Sequence, residues 1–320
     1  MKLIVQPDAG IAPVLQAITR AKRRIDLVIF RFDLEEIEEA IAAAVKRGVA
    51  VRTLIAHTNK GGEKSLRKLE LRMLESGVTV CRTDDGLVRY HGKVIIVDSN
   101  EAYVLGFNFT GQDLESRSFG VITRERRIVH ELERLFNHDA NRIDYTPRAR
   151  DLVISPENAR SKLERFIRKA RTSLDIYDPD VSDDGLLAVM QKKIERGVCV
   201  RIIGSLEKKW SDAGFEVRPF PGKRLHVRAI IRDSRRAFIG SQSLRKLELD
   251  ERREVGLVIR DRKVVRRVEK VFRSDWKLAT KQDGKDDKSG KGKKGKKGDK
   301  DKKGEKREKG EKGEKGEKGT

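Results

Sequence analysis

Apolar residues fall at helical spacing over Val14–Arg23, with Gln16, Thr19 and Arg20 between them, which predicts an amphipathic helix. A β-rich run follows over Ile25–Phe32. A second helix is predicted over Glu35–Lys46, where Arg47-Gly48 supplies a C-terminal stop. Next come an apolar strand over Val49–Ile55, strands near Val78–Cys81 and Lys93–Val97, and a closing helix over Arg127–Phe136. The same order returns downstream. Helices are predicted over Leu163–Ala170, Gly185–Glu195 and Lys263–Phe272, and strands over Leu174–Tyr177, Val198–Ile203, Glu216–Pro219 and Ala229–Ile231. Helices alternating with buried apolar strands predict an α/β fold with mostly parallel sheets flanked by helices.

The recurrence is literal in places. AKRRIDL at 21–27 lines up with ARTSLDI at 170–176, and at the same spacing RGVAVR (47–52) meets RGVCVR (196–201). HGKVIIVD (91–98) meets HVRAIIRD (226–233), and Phe136-x-x-Asp139 meets Phe272-x-x-Asp275, at a shorter spacing. The first copy is therefore the longer, and its surplus falls near HTNKGGEKSLRKLE at 57–70, read as a loop and a short helix. The divisions are one repeat over 1–148, a second over 149–279 and a tail over 280–320. Two such units in one chain predict packing about a pseudo-two-fold axis, with a shared site where equivalent elements meet.

Charge narrows the partners. The chain has 320 residues and a formal net charge of +22, and both the repeats and the tail are basic. That excess points to phosphate, nucleic acid or phospholipid headgroups without choosing among them. The tail, almost wholly Lys, Gly, Glu and Asp, has nothing to bury and is expected to be disordered. Its glycines at 310, 313, 316 and 319 come without proline, which argues against a collagen helix; the tail reads as a solvated segment, with a loose electrostatic tether to anionic lipid or nucleic acid as the sharper alternative. Cys81 and Cys199 cannot build a disulfide framework and read as inert core thiols. No apolar run approaches the roughly 20 residues of a membrane helix, and the N-terminus lacks a signal-peptide core. The expected location is cytoplasmic, with peripheral contact to anionic membrane or nucleic acid through the tail. No stable protein partner is expected, and the chain reads as a monomer.

In each repeat a histidine opens a strand, a cation stands two residues on, and an aspartate five beyond that: His91, Lys93, Asp98 and His226, Arg228, Asp233. Residues at i and i+2 of an extended segment share a face, so the symmetry predicts two imidazoles and two cations around one cavity. Phosphodiester chemistry uses such a set. One histidine attacks phosphorus, the other protonates the leaving oxygen, and the cations neutralise the non-bridging oxygens. With two cations in that role, neither metal nor cofactor is required.

These residues resemble the phospholipase D superfamily, whose signature H-x-K-x4-D-x6-G-S-x-N occurs twice. The first copy is His91-Gly92-Lys93, Asp98 and Leu105-Gly106-Phe107-Asn108. The second is His226-Val227-Arg228, Asp233 and Gly240-Ser241-Gln242-Ser243. The resemblance covers residues 1 to about 279. It implies two tandem phospholipase D-like repeats and a covalent phosphohistidine intermediate. It also implies His91 as nucleophile, His226 as general acid and base, and Lys93 and Arg228 clamping phosphate with Asn108 and Ser243 donating to it. Asp98 and Asp233 are then structural, and Glu254 orients a motif histidine. The expected activity is hydrolysis or transfer of a phosphatidyl group. The alternatives are a metal-independent nuclease of the same superfamily and a catalytically silent phosphate-binding relative.

The departures are Arg228 for the second lysine, Leu105-Gly106 for Gly-Ser, Ser243 for Asn, and Ser118 opposite Glu254 when RSFGVI (117–122) is set against REVGLV (253–258). His57, His130 and His138 have no counterpart in the second repeat and are assigned no role. Trp276 is expected to pack, Trp210 to pack or to line the cavity rim, and the arginine pairs along 124–127, 252–253 and 266–267 to be solvated.

Overall fold

The computed structural model describes residues 1–57, 63–222 and 224–289. The first repeat runs β1 (Lys2–Gln6), α1 (Ala12–Arg20), β2 (Arg24–Ile29), α2 (Glu35–Lys46), β3 (Ala50–Ile55), α3 (Glu63–Glu75) and β4 (Thr79–Arg82). It continues through β5 (Arg89–Tyr90), β6 (Val94–Val97), β7 (Glu101–Leu105), α4 (Gly111–Leu114), β8 (Ser118–Thr123) and α5 (Arg126–Asn141). The second repeat runs β9 (Leu152–Ser155), α6 (Ala159–Arg168), β10 (Ser173–Val181), α7 (Asp184–Ile194), β11 (Cys199–Leu206) and β12 (Glu216–Arg218). It ends with β13 (Arg228–Arg232), β14 (Arg236–Gly240), α8 (Lys246–Asp250), β15 (Arg252–Ile259) and α9 (Arg262–Ser289). The surplus of the first repeat is the segment carrying α3; the second has only a short 3-10 turn, Lys208–Trp210, after β11.

Each repeat builds one sheet. The strand orders are β1-β8-β7-β6-β2-β3-β4 and β12-β11-β10-β13-β14-β15-β5, with β9 also pairing β15. Pairing is parallel where helices connect the strands, across β2-β3-β4 and β10-β11-β12. From the motif strands onward the sheets are antiparallel, through β2-β6-β7-β8-β1 and β10-β13-β14-β15. The helix-connected half matches the sequence reading, and the sheets as wholes are mixed. The cause is local. Asp98-Ser99 and Asp233-Ser234 hold φ of 53° and 56°, and 51° and 53°, so each motif strand turns straight back as a tight hairpin. The aspartates also tie that turn to the strand beyond. Asp98 accepts the backbone N–H groups of Lys22, Arg23 and Arg24, and Asp233 those of Arg171, Thr172 and Ser173.

Alternation along β6 distributes the core. Ile95 and Val97 face α1 and α2, among Ile18, Ile37 and Ile41. Val94 and Ile96 face a central cluster that joins both sheets to α5 and α9, through Phe119, Phe136, Tyr177, Ile231, Leu257 and Phe272. A third cluster packs α6 and α7 on the outer face of the second sheet. Both faces of each sheet are covered, as apolar central strands require.

Several expectations change here. Helix α9 carries the chain to Ser289, across the boundary placed at 279/280; the remainder of the expected tail lies outside the described residues. Cys199 is exposed at the start of β11 and so is not a core thiol, while Cys81, on the edge strand β4, is half-buried and packs against the central cluster. Arg253 is buried, with its guanidinium on Asp139, Glu157 and the Ser155 carbonyl, not solvated.

Candidate active site

The two repeats exchange short segments, and that exchange builds the site. Strand β5, which delivers His91, leaves its own sheet and pairs in parallel with β15 of the second repeat. His91 and Gly92 both donate to the Arg253 carbonyl, at 2.8 and 3.0 Å. The reciprocal segment behaves alike: Arg117 and Leu225 form a parallel bridge, and His226 donates to the Arg117 carbonyl at 3.0 Å. Each motif histidine therefore sits beside the residue after that arginine in the other repeat. For His91 this is Glu254; for His226 it is Ser118.

His91 is consequently gripped across the interface. Its Nδ1 lies 2.9 and 3.0 Å from the two oxygens of Glu254, which is wholly buried at 0% exposure. A carboxylate there fixes the tautomer with the proton on Nδ1 and frees the lone pair of Nε2. Lys93 Nζ lies close to both ring nitrogens, 2.9 Å from Nε2 and 3.1 Å from Nδ1. Phe30 closes the side, its ring edge-on to the imidazole at 4.5 Å between centroids. Burial, then the charges of Lys93, Arg228 and His226, holds His91 well below its ordinary pKa, so the ring is neutral near pH 7. Burial likewise pushes Lys93 down to about 7 and raises Glu254.

The second motif is built differently. Ser118 cannot grip His226, and its buried Oγ has no hydrogen-bond partner among the described residues. Asp113, on the short helix α4, reaches in instead and places Oδ1 2.9 Å from His226 Nδ1. The contact is within hydrogen-bond distance but poorly aligned, so Asp113 holds the ring less firmly than Glu254 holds His91. Asp113 also accepts from the backbone and side-chain N–H groups of Asn108 and pairs with Arg224. Burial alone would raise its pKa; His226 and Asn108 more than offset that and hold it far below the carboxylate range. His226 is lowered to about 4, by burial first and by Arg228 and Lys93 against the opposing pull of Asp113.

The cations and polar groups of the two motifs have their own anchors. Arg228 donates to Ser243 Oγ at 3.1 Å and to the His226 carbonyl at 3.0 Å. Asp178, buried at the end of β10, accepts from the Leu244 N–H at 2.6 Å, and burial pushes its pKa up to about 6 despite the nearby Arg228 charge. Asn108 spends a side-chain N–H on Asp113, while its buried Oδ1 has no partner among the described residues. The geometry thus brings together His91, His226, Lys93, Arg228, Asn108, Ser243 and Glu254. It leaves Asp98 and Asp233 at the far ends of their strands. Asp113, Asp178 and Phe30 were not found from sequence. For Asp113 the available signal was an acidic residue five positions past Asn108 in a repeat lacking the expected glutamate.

The remaining side chains are held by local contacts away from the histidine pair. His138 Nδ1 is 2.8 Å from the Asp144 carbonyl oxygen. Trp276 stacks on Phe272 under the Arg218 guanidinium, and Trp210 donates to Asp184 at 3.0 Å. No described helix is long and apolar enough to cross a membrane.

Comparison with known proteins fits this architecture. The family described as "Cardiolipin synthase, PLD-like domain" matches residues 14–140 and 163–276. Cardiolipin synthase 1 of Bacillus anthracis is 22% identical over 341 aligned positions, covering 87% of this chain and 67% of that protein. The mitochondrial cardiolipin hydrolase of Xenopus tropicalis is 23% identical over 47% of this chain and 70% of its own length. Among solved structures, phosphatidylserine synthase of Haemophilus influenzae superposes with a TM-score of 0.68 at 13% identity, covering 87% of this chain and 86% of that one. Polyphosphate kinase of Porphyromonas gingivalis gives 0.71 at 19%, with 85% of this chain spanning 49% of that protein. At these identities the structures speak for the fold. Two motif histidines shared across a duplicated α/β sheet, and a family match on both halves, place this chain in the phospholipase D superfamily.

Proposed function

We propose that this protein is a phosphodiesterase of the phospholipase D type, acting on a phosphatidyl group through a covalent phosphohistidine. The observation that carries the reading is the unequal grip on the two imidazoles. His91 has Nδ1 held by Glu254, which leaves Nε2 unprotonated with only the Lys93 ammonium 2.9 Å from its lone pair, and a phosphate that draws Lys93 onto its own oxygens exposes that nitrogen for attack. In the first step Nε2 of His91 attacks phosphorus. The bond to the leaving alcohol oxygen breaks, and that oxygen takes a proton from His226. In the second step water or an alcohol gives its proton to His226 and attacks phosphorus, and the P–N bond breaks to return both residues to their starting states.

His226 must enter that cycle protonated, although the empty site holds its pKa near 4. A bound phosphodiester supplies the missing negative charge between Lys93 and Arg228 and raises both imidazoles. Asn108 and Ser243 complete the phosphate cradle, Asp113 supports His226, and Asp98 and Asp233 act only as turn anchors. A phospholipid substrate fits the relatives named cardiolipin synthase and phosphatidylserine synthase, with the protein meeting the bilayer at its surface. The test is turnover of bis(p-nitrophenyl) phosphate in EDTA, followed by phosphatidylglycerol vesicles and single-stranded DNA. Wild-type turnover that survives chelation and disappears in both His91→Ala and His226→Ala supports the chemistry. Turnover surviving either substitution refutes it, and cleavage of DNA but not lipid would move the substrate to nucleic acid.

A further inference from the structure

A second basic cavity lies at the opposite end of the second sheet. Arg228 faces the active site at the start of β13. Arg232 ends the same strand four residues on, roughly 13 Å away at the usual rise. There it borders a pocket of about 270 Å³ between α6 and the β13–β14 hairpin. Arg232 forms part of the floor: its guanidinium lies 4.5 Å from the centroid of Phe166, and it donates to the Phe166 carbonyl at 3.0 Å. Arg165 and Lys169 enter from α6 and its end, and Arg236 from the start of β14. Arg150 and Arg260 complete the rim.

Opposite charge is nearly absent. Asp151 is the one acidic residue lining the pocket, and it is taken by Arg260 at 2.9 Å. Arg150, Arg165, Lys169 and Arg236 form no ion pair among the described residues. Lys162 spends its ammonium on the carbonyls of Ala149, Arg150 and Leu152, which fixes the loop that presents Arg150. The crowding is felt electrostatically: Arg165 first, then burial, Arg232, Arg150 and Arg260, lower the pKa of Lys169.

The first repeat shows that this surplus is not a requirement of the fold. At the equivalent place Arg20 and Arg124 correspond to Lys169 and Arg260, and Glu101 corresponds to Arg236. Glu101 is buried and pairs with both arginines, so that corner is neutralised internally. In the second repeat the acid has become a cation, and the partner must come from outside.

We infer that this pocket binds an anion carrying two or more clustered phosphate groups. The guanidinium groups of Arg150, Arg165 and Arg236 and the Lys169 ammonium form no ion pair among the described residues and can donate to phosphate oxygens, whereas Arg232 is held by Asp233 and the Phe166 carbonyl; one phosphate could not satisfy all four free cations. The size suits a small ligand or a phosphorylated lipid headgroup. The site is separate from the histidine pair, so its occupancy does not depend on the catalytic reading.

The test is calorimetric titration of inorganic tripolyphosphate into the full-length protein at moderate salt. Wild type should show a saturable site that weakens at least about tenfold in Arg165→Ala/Lys169→Ala, given the usual worth of charge-assisted hydrogen bonds. Arg236→Glu, which restores the pairing of the first repeat, should abolish that site while keeping or raising the melting temperature. Arg266→Ala/Lys270→Ala on α9 is the control and should bind as wild type does. Vesicles bearing phosphatidylinositol bisphosphate, set against phosphatidylserine vesicles, separate a headgroup source from a free oligophosphate. Equal losses in the control and pocket variants, or binding of single-stranded DNA with none of tripolyphosphate, would overturn the assignment.

Discussion

Replacing Glu254 tests the assignment of His91 most directly, because one carboxylate does two separable jobs. It is fully buried, it meets His91 Nδ1 through both oxygens, and its charge lowers the cost of keeping Lys93 ionised. Glu254→Ala leaves a buried imidazole and ammonium without their counter-charge. Removing one partner of a buried ion pair costs about 3–5 kcal/mol. For a chain of this size that is a fall of roughly 6–20 °C in melting temperature. Glu254→Gln keeps the volume and should fold better, yet its amide can donate to Nδ1. That drives the proton to Nε2, the atom that must attack. By analogy with a catalytic histidine held in the wrong tautomer, phosphodiester turnover should fall by about 10⁴, near 5 kcal/mol of barrier. Turnover of bis(p-nitrophenyl) phosphate and the ¹⁵N shifts of the histidine rings read the two effects apart. A Glu254→Gln protein that turns over within a factor of about three of wild type, with an unchanged tautomer, would sink the argument.

The other predictions concern the second histidine, the phosphate site and the departures from the motif. Asp113→Ala should lower turnover about 100-fold, and Ser118→Glu added to it should recover part of the loss, because that side chain starts beside His226; no recovery would show that Asp113 serves only Asn108 and Arg224. Gly106→Ser, which restores the superfamily residue, places a Cβ 2.9 Å from the Phe119 carbonyl and should destabilise by about 1–3 kcal/mol in chemical denaturation. Unfolded imidazoles titrate near 6.5, whereas folded His226 sits at about 4 and His91 well below its ordinary value. The unfolded chain therefore takes up protons first, so this contribution to stability is whole above about pH 6.5 and drains away toward pH 4. Denaturation midpoints between those pH values should fall less in His226→Gln than in wild type, and less in wild type when inorganic phosphate fills the site; parallel curves would refute the buried neutral state. Asp233→Ala strips three backbone N–H groups of their acceptor and should cost on the order of 1–3 kcal/mol without altering the pH profile of turnover.

How much of this was legible beforehand follows from which interactions are periodic or repeated. Helix α2 ends where its Arg-Gly stop placed it, and the two halves align through their helices and parallel strands because those bury apolar faces at fixed spacing. Strands β1 and β9 were missed, since each is short and joins its sheet by pairing with a distant strand, and so were β7, β8, β14 and β15, the antiparallel strands beyond each motif turn. The antiparallel turn of the sheets was hidden in Asp98-Ser99 and Asp233-Ser234, which read as motif residues rather than as a left-handed turn. The site divided along the same line. Residues that fall on the motif pattern declared themselves, Glu254 among them although Ser118 stands opposite it; Asp113 and Phe30, which lie off that pattern, did not.

Asp113 is the instructive case. Comparing the halves position by position pairs Glu254 with Ser118 and so reports a loss at His226. In the folded chain a carboxylate nevertheless stands 2.9 Å from His226 Nδ1, from Asp113. The segments before His91 and His226 each cross to the other repeat, so whichever carboxylate serves a histidine has to approach from a neighbouring element. At His91 that element is β15, and the side chain comes straight off the strand. At His226 the strand offers only a hydroxyl, and the turn of helix after Asn108 supplies the charge from another direction. The two approaches are not equivalent. Glu254 turns both oxygens to His91 and also interacts with Ser241 and Lys93, while Asp113 approaches His226 with one oxygen that it shares with Arg224 and gives the other to Asn108. A histidine held rigidly in one tautomer suits repeated attack through a single nitrogen. One held by a shared carboxylate is freer to take and release a proton. The asymmetry of the two grips, more than the survival of Lys93 and Asn108 in the first motif, is the physical ground for making His91 the nucleophile and His226 the acid.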